Sequence, residues 1–338
     1  MTSQEPPAIP DPAERLEELL GGYQDTQALY VAAKLNLADA LLDGPKTATE
    51  LATALGAHAP SLLRLMRYLV RVGVLAEADG DRFALTPLGE PLRSDHPDSL
   101  RTLAILYGSP LIWRPFGELY DAVVSGDRAF ERAFGLPYFE YLDRNQEDAA
   151  VFNAVMSAGL PLELLDVYDF SAFHTIVDVG GGQGAFLQAI LERCPATHGM
   201  LYDLPAVVAQ GSVSANADVM ARFETVAGDM FTAVPTGGDA YLLKRIVHDW
   251  SDEEAIQILR NCRQAMNQGG KVLLIEQVLH PGHFSEFATA IDLQMMVLVS
   301  GRERTEAEYR ALFAAADLQL TQEVSAGPRS ILEATTAS

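Results

Sequence analysis

The spacing of apolar residues changes near residue 174 and divides the chain into two differently patterned regions. Between residues 13 and 170, apolar side chains recur at intervals of three and four, as in TQALYVAAKLNLADALL, and this spacing predicts helices. From residue 174 onward, short apolar runs such as HTIVDVG alternate with amphipathic stretches such as DEEAIQILRNCRQAM. Because strands and helices then alternate, we predict an α/β region with a doubly wound, largely parallel, Rossmann-like sheet.

The strands of this sheet are predicted from five apolar runs, HTIVDVG, GMLYDL, RFETVAGD, DAYLLKRIV and GGKVLLIEQVL. Helices are predicted at GAFLQAILERC, from PAVVAQ onward, at 284–299 and at 305–316, and two terminal strands follow. Ligands of such sheets bind beyond the carboxyl ends of the strands, so functional residues are expected there.

The first region contains a segment with the pattern of a winged helix. Two short helices are predicted at 49–55 and 59–72, and VLAEADGDRFALT predicts two short strands around the turn ADGD. Arg64, Arg67 and Arg71 lie at helical spacing on the second helix, as they would in a DNA-recognition helix. A transcriptional regulator therefore remains an alternative, although a solvated helix face is the more common reason for this spacing.

The stretch from residue 96 to residue 142 is rich in aromatic side chains. Most of them are predicted to pack between helices, although they could also wall a pocket for a flat ligand. They are Tyr107, Trp113, Phe116, Tyr120, Phe130, Phe134, Tyr138, Phe139 and Tyr141. The next predicted element is one long helix from Gln146 to Tyr168, kinked at Pro161.

Length and charge narrow the classes of function. The 338 residues suggest two domains, because a single domain holds roughly 150 residues. A formal charge of −22 argues against nucleic acid or a membrane surface as the main partner, since both attract positive charge. Cys194 and Cys262 form no CxxC pair, which predicts neither a disulfide framework nor a zinc site.

The ends and apolar runs of the chain give a prediction about location. Residues 1–12 carry four prolines and are predicted to be disordered. They lack the basic and apolar segments of a signal peptide, and the sequence contains no apolar run of about 18 residues that would predict a membrane span. The sequence therefore predicts a cytoplasmic protein.

The glycine-rich stretch VDVGGGQGAF joins the first strand of the sheet to its helix. The spacing Gly180-x-Gly182-x-Gly184 lets the backbone turn sharply and approach a ligand closely. Asp203 ends the second strand and can accept hydrogen bonds from ribose hydroxyls, so we predict a nucleoside cofactor.

The choice between two nucleoside cofactors rests on the details of this loop. An NAD enzyme would carry GxGxxG, and an NAD oxidoreductase remains an alternative on these grounds alone. S-adenosylmethionine has a cationic sulfonium and no phosphate, so it suits the neighbouring Asp178 better than a diphosphate does. In AGDMF, Asp229 could bind an adenine amino group while Met230 packs on the ring.

The stretch LLKRIVHDWSDEE puts His248, Asp249 and Trp250 where a buried strand gives way to a helix. One interpretation is packing, with Trp250 filling a gap and Ser251 capping the helix. The other interpretation is chemistry, with a neutral His248 as a general base at the carboxyl edge of the sheet.

Six motifs in order, VDVGGGQGAF, YDLP, GDMF, LLKRIVHDWSDEEA, GGKVLLIE and GRERT, resemble the plant caffeate-type, metal-independent O-methyltransferases. The resemblance covers nearly the whole chain, and the bacterial branch of that family acts on aromatic natural products. It implies an S-adenosylmethionine-binding catalytic domain at 146–338 and a winged-helix-like domain at 13–145. It further implies that the winged-helix-like domain forms a homodimer and that the acceptor is a small aromatic molecule with a hydroxyl.

The resemblance also implies roles for individual residues. Catalysis would rest on His248 as general base, flanked by Glu276 and Glu303, without a metal. The cofactor would contact Asp178, Gly180, Gly181, Gly182, Asp203, Leu204, Gly228, Asp229, Met230 and Lys244. The acceptor would be walled by Met156, Asp249, Trp250, Met295 and Met296. In one departure from the plant pattern, the segment between Asp229 and Lys244 is one residue longer, which is expected to alter only a surface loop.

One further alternative stays within the same fold. Some relatives of this family bind S-adenosylmethionine but catalyse hydroxylation, decarboxylation or ring closure of a natural product. The presence of His248 favours methyl transfer over these reactions, because a base is needed to remove the proton of the acceptor hydroxyl.

Overall fold

The computed structural model describes residues 11–209, 216–280, 282 and 285–337. Its contacts divide the chain into two compact units, one ending at Trp113 and the other beginning at Arg114. Disorder was predicted for residues 1–12. Residues 1–10 lie outside the described residues, and the prediction is wrong for the last two, because Asp11 caps α1 and Pro12 begins it. Gln210, the last residue of the predicted helix start PAVVAQ, also lies outside the described residues. The predicted start of a catalytic domain at residue 146 stays a prediction.

The first unit is mostly helical and carries a small antiparallel sheet. Its elements are α1 (Pro12–Lys34), β1 (Lys46–Thr47), α2 (Ala48–Leu55), α3 (Ala59–Arg71), β2 (Leu75–Ala78), β3 (Arg82–Leu85) and α4 (Arg101–Gly108), and α5 (Pro110–Gly117) spans the boundary. The strands lie in the order β1-β3-β2. The predicted winged-helix arrangement is confirmed, and β1 is an additional strand that the sequence pattern did not indicate.

Local sequence explains the ends of these short helices. A capping box of Thr47 and Glu50 begins α2, and Gly56 ends it in the left-handed conformation with φ of 66°. Leu51, Met66 and Phe83 are among the side chains that form the core between the helices and the wing. The three arginines of α3 are exposed, and Arg71 is paired with Asp25.

The second unit contains the larger sheet. Its elements are α6 (Leu119–Ser125), α7 (Ala129–Phe134), α8 (Tyr138–Arg144), α9 (Gln146–Ala158), α10 (Leu164–Val167), β4 (Thr175–Val179), α11 (Ala185–Arg193), β5 (His198–Asp203), α12 (Pro205–Val208), α13 (Ala217–Met220), β6 (Phe223–Ala227), β7 (Ala240–Lys244), α14 (Asp252–Ala265), β8 (Lys271–Glu276), β9 (Val278–Leu279), α15 (Glu286–Leu298), β10 (Arg304–Thr305), α16 (Glu306–Ala315), β11 (Leu318–Ala326) and β12 (Arg329–Thr336).

The prediction of one kinked helix from Gln146 to Tyr168 is wrong. Two separate helices, α9 and α10, occupy this stretch, with a break between Ala158 and Leu164. The reason lies in the residues of the break, because Gly159 lowers helix stability and Pro161 has no N–H to donate to the preceding turn.

The seven strands of the large sheet follow the order β11-β12-β8-β7-β4-β5-β6. Strands β4 to β8 pair in parallel, and β12 pairs antiparallel with β8 and β11. The predicted doubly wound, largely parallel sheet is confirmed. Since β4 lies between β5 and β7, the direction of winding reverses at β4, and a crevice opens beyond the carboxyl ends of these strands.

Both faces of the sheet are buried at its centre, which is why β4, β7 and β8 are largely apolar rather than alternating. Val177 belongs to one core, packed by α14 and α16, and its neighbour Ile176 belongs to the other, packed by α11. No helix in the described part of the chain is long and apolar enough to cross a membrane.

Candidate active site

A cavity of about 410 Å³ lies in the second unit, at the carboxyl ends of the central strands. Its lining comes from the helices α8 and α9 and from the segments that follow β4, β5, β6 and β7. The predicted residues Met156, Gly180, Gly181, Gly182, Asp203, Leu204, Gly228, Asp229, Met230, Lys244, His248, Asp249 and Trp250 all line it.

The glycine loop can adopt its path only because it lacks side chains. Gly180 and Gly182 have φ of 68° and 62°, a left-handed conformation that favours glycine. A Cβ on Gly180 would lie 2.5 Å from the side chain of Ile246, and one on Gly181 would lie 2.5 Å from the carboxylate of Asp178. Main chain is therefore the surface that the loop presents to the cavity.

Asp203 is held in one orientation at the end of β5. Its Oδ2 accepts from the Gly182 N–H at 2.8 Å, and its Oδ1 accepts from the Leu204 N–H at 2.7 Å. Burial raises the pKa of this carboxyl, and the two backbone donors oppose the rise. Each oxygen keeps a lone pair free, so the group can also accept from the two hydroxyls of a ribose.

Asp178 lies beneath the loop rather than in the lining of the cavity. It is fully buried, and neither of its oxygens has a hydrogen-bond partner among the described residues. Burial raises its pKa to about 7 against the charge of Lys244, and burial lowers the pKa of Lys244 to about 8 against the charge of Asp178. An unpartnered buried carboxylate beside the loop fits a cationic ligand better than a phosphate.

The turn after β6 supplies a third wall of the same pocket. Gly228, Asp229 and Met230 line the cavity, and the Asp229 carboxylate accepts from the Phe231 N–H at 2.9 Å. An exposed carboxylate next to a thioether matches the amino group and flat face of a purine.

His248 lies on a 3-10 turn, Val247–Asp249, between β7 and α14. Its Nδ1 is 2.7 Å from Glu303 Oε1 and 3.9 Å from Glu276 Oε2, and its Nε2 is 3.6 Å from Asp249 Oδ1. Only 3% of His248 is exposed, yet the residue lines the cavity. Since Glu303 occupies Nδ1, Nε2 remains for a ligand.

The carboxylates around His248 are buried and incompletely bonded. Oε1 of Glu276 accepts from the N–H groups of Ile246 at 3.1 Å and Val247 at 2.9 Å. The second oxygen of Glu276, like that of Glu303, has no partner among the described residues. Burial raises the pKa of Glu276, raises that of Glu303 to about 8 and raises that of Asp249 to about 6.

Such a cluster can accept a proton at neutral to mildly alkaline pH. With Glu303 ionised, Nδ1–H donates to it and Nε2 is an acceptor. With Glu303 protonated, its hydroxyl donates to Nδ1, and the proton of the neutral ring must lie on Nε2. The charge state of Glu303 therefore decides whether His248 can serve as a base.

The packing interpretation of the HDW stretch is confirmed, whereas the general-base interpretation stays a prediction. Ser251 caps α14 through a capping box with Glu254. Trp250 stacks on Phe139 with ring centres 5.5 Å apart, and Phe231 meets it edge-on at 4.7 Å. Trp250 is thus packed between aromatic rings and also lines the cavity.

The two methionines of α15 lie elsewhere. Met295 is buried and Met296 is exposed, and neither belongs to the described lining of the cavity. Met156, on α9, does line it, and its sulfur accepts from Arg245 Nη1 at 3.2 Å.

Sequence reasoning missed Arg245 as a lining residue. Arg245 follows β7 directly, and its φ of 56° is unusual for a side chain other than glycine. Its charge lowers the pKa of Asp249, Glu276 and Glu303. The signal that could have found it is its place beside Lys244, at the carboxyl end of a strand that lies next to β4 in the sheet.

Comparison with known proteins identifies the family of the chain. The model of the O-methyltransferase domain matches residues 116–319, and that of the O-methyltransferase dimerisation domain matches residues 17–95. A phenazine O-methyltransferase of Lysobacter antibioticus is 43% identical over 94% of this chain and 95% of its own length.

Two further similar proteins differ from each other in the activity that their names give. A methyltransferase of calicheamicin biosynthesis, solved with S-adenosylhomocysteine bound, has a TM-score of 0.81 at 37% identity and covers 97% of this chain and 100% of its own. Aclacinomycin 10-hydroxylase of Streptomyces purpurascens is 36% identical over 92% of this chain and 86% of its own length. The chain belongs to the S-adenosylmethionine-dependent O-methyltransferase family, and its cofactor is S-adenosylmethionine.

Proposed function

We propose that this enzyme methylates a hydroxyl of a small, flat aromatic molecule, with His248 as the general base. The observation that carries the proposal is the 2.7 Å contact between Nδ1 of His248 and Oε1 of Glu303. His248 also lines the cavity. The contact leaves Nε2 as the ring nitrogen that can take the proton of an acceptor hydroxyl.

The proton transfer follows from the geometry of this cluster. A phenol has a pKa near 10, so its oxygen must lose a proton before or during attack. Nε2 of His248 accepts that proton, and the ionised Glu303 stabilises the imidazolium that forms. General base catalysis of this kind contributes roughly 100- to 10,000-fold. Glu276, fixed by two backbone N–H groups, adds negative charge on the same side of the ring.

The cofactor, when bound, supplies an electrophilic methyl group. Asp203 would hold its ribose, and Gly180 to Gly182 would face its amino-acid part, while Asp178 would attract its positive charge from beneath the loop. Asp229 and Met230 would frame its adenine, with Lys244 nearby. These groups orient the reactants, and orientation is itself a large part of catalysis.

The shape of the remaining lining supports a flat acceptor. Phe139, Phe152, Met156 and Trp250 contribute apolar surface next to His248 and Asp249. Several relatives whose names specify an acceptor act on fused or substituted aromatic rings, among them phenazine and 3-amino-4-hydroxybenzoate enzymes. We extend that acceptor class to this enzyme.

Two properties of the whole protein are proposed separately. The match to a dimerisation domain supports a homodimer formed through the first unit. Both cysteines are free and buried, which supports work in a reducing compartment such as the cytoplasm.

Titration and transfer assays together test the proposed function. S-adenosylmethionine and S-adenosylhomocysteine are titrated calorimetrically, and the enzyme is then incubated with hydroxylated arenes. We expect micromolar binding of both and a product heavier by one methyl group on oxygen. Binding without transfer to any hydroxyarene would contradict the proposal and favour a hydroxylase-like reaction; transfer to an amine instead would place the acceptor atom at nitrogen.

A further inference from the structure

Arg304 is the largest fully buried side chain of the described residues, and its guanidinium lies against the turn that carries His248. Nη1 donates to the carbonyl of Val247 at 2.9 Å, and Nη2 donates to the carbonyl of Trp250 at 2.8 Å. One planar group thus bonds the main chain on both sides of His248 and Asp249.

The same guanidinium reaches the start of α14. Nε and Nη2 both donate to Asp252 Oδ1, at 3.0 and 2.8 Å. Asp252 is 47% exposed, so its charge is partly screened by water, and backbone carbonyls accept the more buried bonds. Burying a cation is costly unless its donors are satisfied, and here the turn supplies the acceptors.

The neighbouring residues of the segment 300–304 contact the same turn. Glu303 holds the ring of His248 at Nδ1, whereas the next residue, Arg304, holds its backbone. A Cβ on Gly301 would lie 1.9 Å from the carbonyl oxygen of His248, so the main chains touch at that point. Ser300 adds a hydrogen bond of 2.9 Å to Glu254, in the capping box of α14.

We propose that Arg304 is a positioning residue for the base: its two bonds to the carbonyls of Val247 and Trp250 fix the ring of His248 between Glu303 and the cavity. Arg304 does not line the cavity, so its effect on turnover passes through His248. The inference rests on the proposed role of His248 as the base.

A lysine cannot replace this group fully. An ammonium is a compact donor on a flexible stem, whereas a guanidinium is a rigid fork that can bind two separated carbonyls at once. Arg304→Lys therefore retains the charge but loses the bridge across the turn, and Arg304→Gln loses both.

Arg302 provides a matched control. It also bonds Asp252, at 3.1 Å, and carries the same charge two residues earlier, but it is half-exposed and donates to no carbonyl of the turn within the described part of the chain. If only charge near Asp252 mattered, Arg302→Gln and Arg304→Gln would have similar effects.

The experiment measures kcat per cofactor site, counted by S-adenosylhomocysteine titration, so that unfolded protein does not enter the rate. For Arg304→Gln we expect kcat to fall about 100-fold, the size of a misplacement of about 1 Å, with S-adenosylhomocysteine affinity within about threefold. We expect a loss of about tenfold for Arg304→Lys and less than about threefold for Arg302→Gln. Unchanged kcat per site, or equal losses at both positions, would overturn the proposal.

A double-mutant cycle separates positioning from general stability. Once His248 is alanine, Arg304→Gln should reduce kcat no further, because the residue through which it acts is absent. Full additivity of the two losses would overturn the proposal. Should Arg304→Gln fail to fold, the cycle with Arg304→Lys gives the same decision. If His248→Ala alone turns over at the wild-type rate, the proposed base fails first, and that result is distinguishable from a failure of Arg304.

Discussion

Along the glycine loop the cavity is built from main chain that lies close in sequence, whereas around His248 it is built from side chains of distant segments. Gly182 lies in the loop after β4 and donates to Asp203, which ends the next strand, β5. His248 and Glu303 are 55 residues apart in sequence and meet where the segment 300–304 packs against the turn that carries His248. A local motif can therefore specify the wall of the cavity at the glycine loop, here called the glycine wall. Only the whole fold can specify the wall around His248.

The two walls also differ in how well their polar groups are satisfied. Asp203 has a backbone donor on each oxygen, while Glu276 and Glu303 each keep one oxygen without a partner among the described residues. Near the glycine loop Asp178 is the exception, since neither of its oxygens has a hydrogen-bond partner among the described residues. Unsatisfied buried carboxylates have raised pKa values, so the wall around His248 should respond most to pH.

The largest effect is expected from His248→Ala, which removes the proposed base but no part of the cavity wall at the glycine loop. We expect kcat to fall roughly 1,000-fold, within the range of general base catalysis, while S-adenosylhomocysteine affinity changes little. Methyl-transfer rates and calorimetric titration measure the two quantities. His198→Ala is the control, because His198 is exposed at the start of β5, and it should leave the rate and the affinity unchanged. Equal turnover in the two variants would remove His248 from the mechanism.

A second, smaller loss is expected from Glu303→Gln, and it should depend on pH. Burial raises the pKa of Glu303 to about 8, so the carboxyl gains a proton as the pH falls through 8. Its hydroxyl then donates to Nδ1, the ring proton moves to Nε2, and the base is lost. Wild-type kcat/KM should therefore fall about tenfold per pH unit below that value, because a single proton is taken up.

In Glu303→Gln the fall of kcat/KM below pH 8, the acid limb of the profile, should be absent. The rate at pH 9 should be about 100-fold below wild type, because no charge stabilises the imidazolium. Glu306→Gln, in which an exposed carboxylate of α16 is changed, should keep the wild-type profile. A wild-type limb that persists in Glu303→Gln would assign the titration to another group.

Sequence patterns predicted the parts of the molecule that depend on neighbouring residues. The five strands predicted from apolar runs, the wing, the glycine loop and Asp203 follow from local spacing, and the structure has them in the expected places, whereas β1 was not indicated. The stretch from Gln146 to Tyr168 was misread, since the apolar periodicity continues through a break that Gly159 and Pro161 impose.

The acidic cluster lay beyond what spacing can predict. Nothing local to Glu276 or Glu303 distinguishes either from an ordinary strand-end or helix-start carboxylate, and only the family resemblance pointed to them. Met295 and Met296 show the opposite limit, because the resemblance placed them at the acceptor and they lie outside the described lining. Arg245 was missed, since a left-handed arginine after a strand has no sequence signature.

On the glycine wall, Gly181→Ala should weaken the cofactor rather than the chemistry. A Cβ there would lie 2.5 Å from the Asp178 carboxylate and 2.6 Å from Leu201, so the loop must shift away. We expect the Kd of both S-adenosylmethionine and S-adenosylhomocysteine to rise about 10- to 50-fold, about the loss of one or two good hydrogen bonds. At saturating cofactor kcat should stay within about threefold, which is the reverse of His248→Ala.

Gly117→Ala is the control for this change, since a Cβ at Gly117 meets nothing within 4 Å and its φ is ordinary. It should bind both compounds as the wild type does. If Gly181→Ala binds them equally well, the glycine loop does not form the cofactor surface, and the contrast between the two walls loses its basis.

The smallest effect is expected from Arg245→Met, which tests how far a nearby positive charge sets the pKa values of the carboxyls around His248. The charge of Arg245 lowers the pKa of Asp249, Glu276 and Glu303, so its removal should raise all three. The acid limb of kcat/KM should then move to higher pH, by about half a unit for an interaction at an effective dielectric near 20. The rate should fall about threefold at pH 7, where the limb is steep, and change less at pH 9. Arg245→Lys keeps the charge and should keep the limb in place. A limb that does not move in Arg245→Met would mean that the cluster titrates independently of this arginine, and the acidity of the wall around His248 would then be set by burial alone.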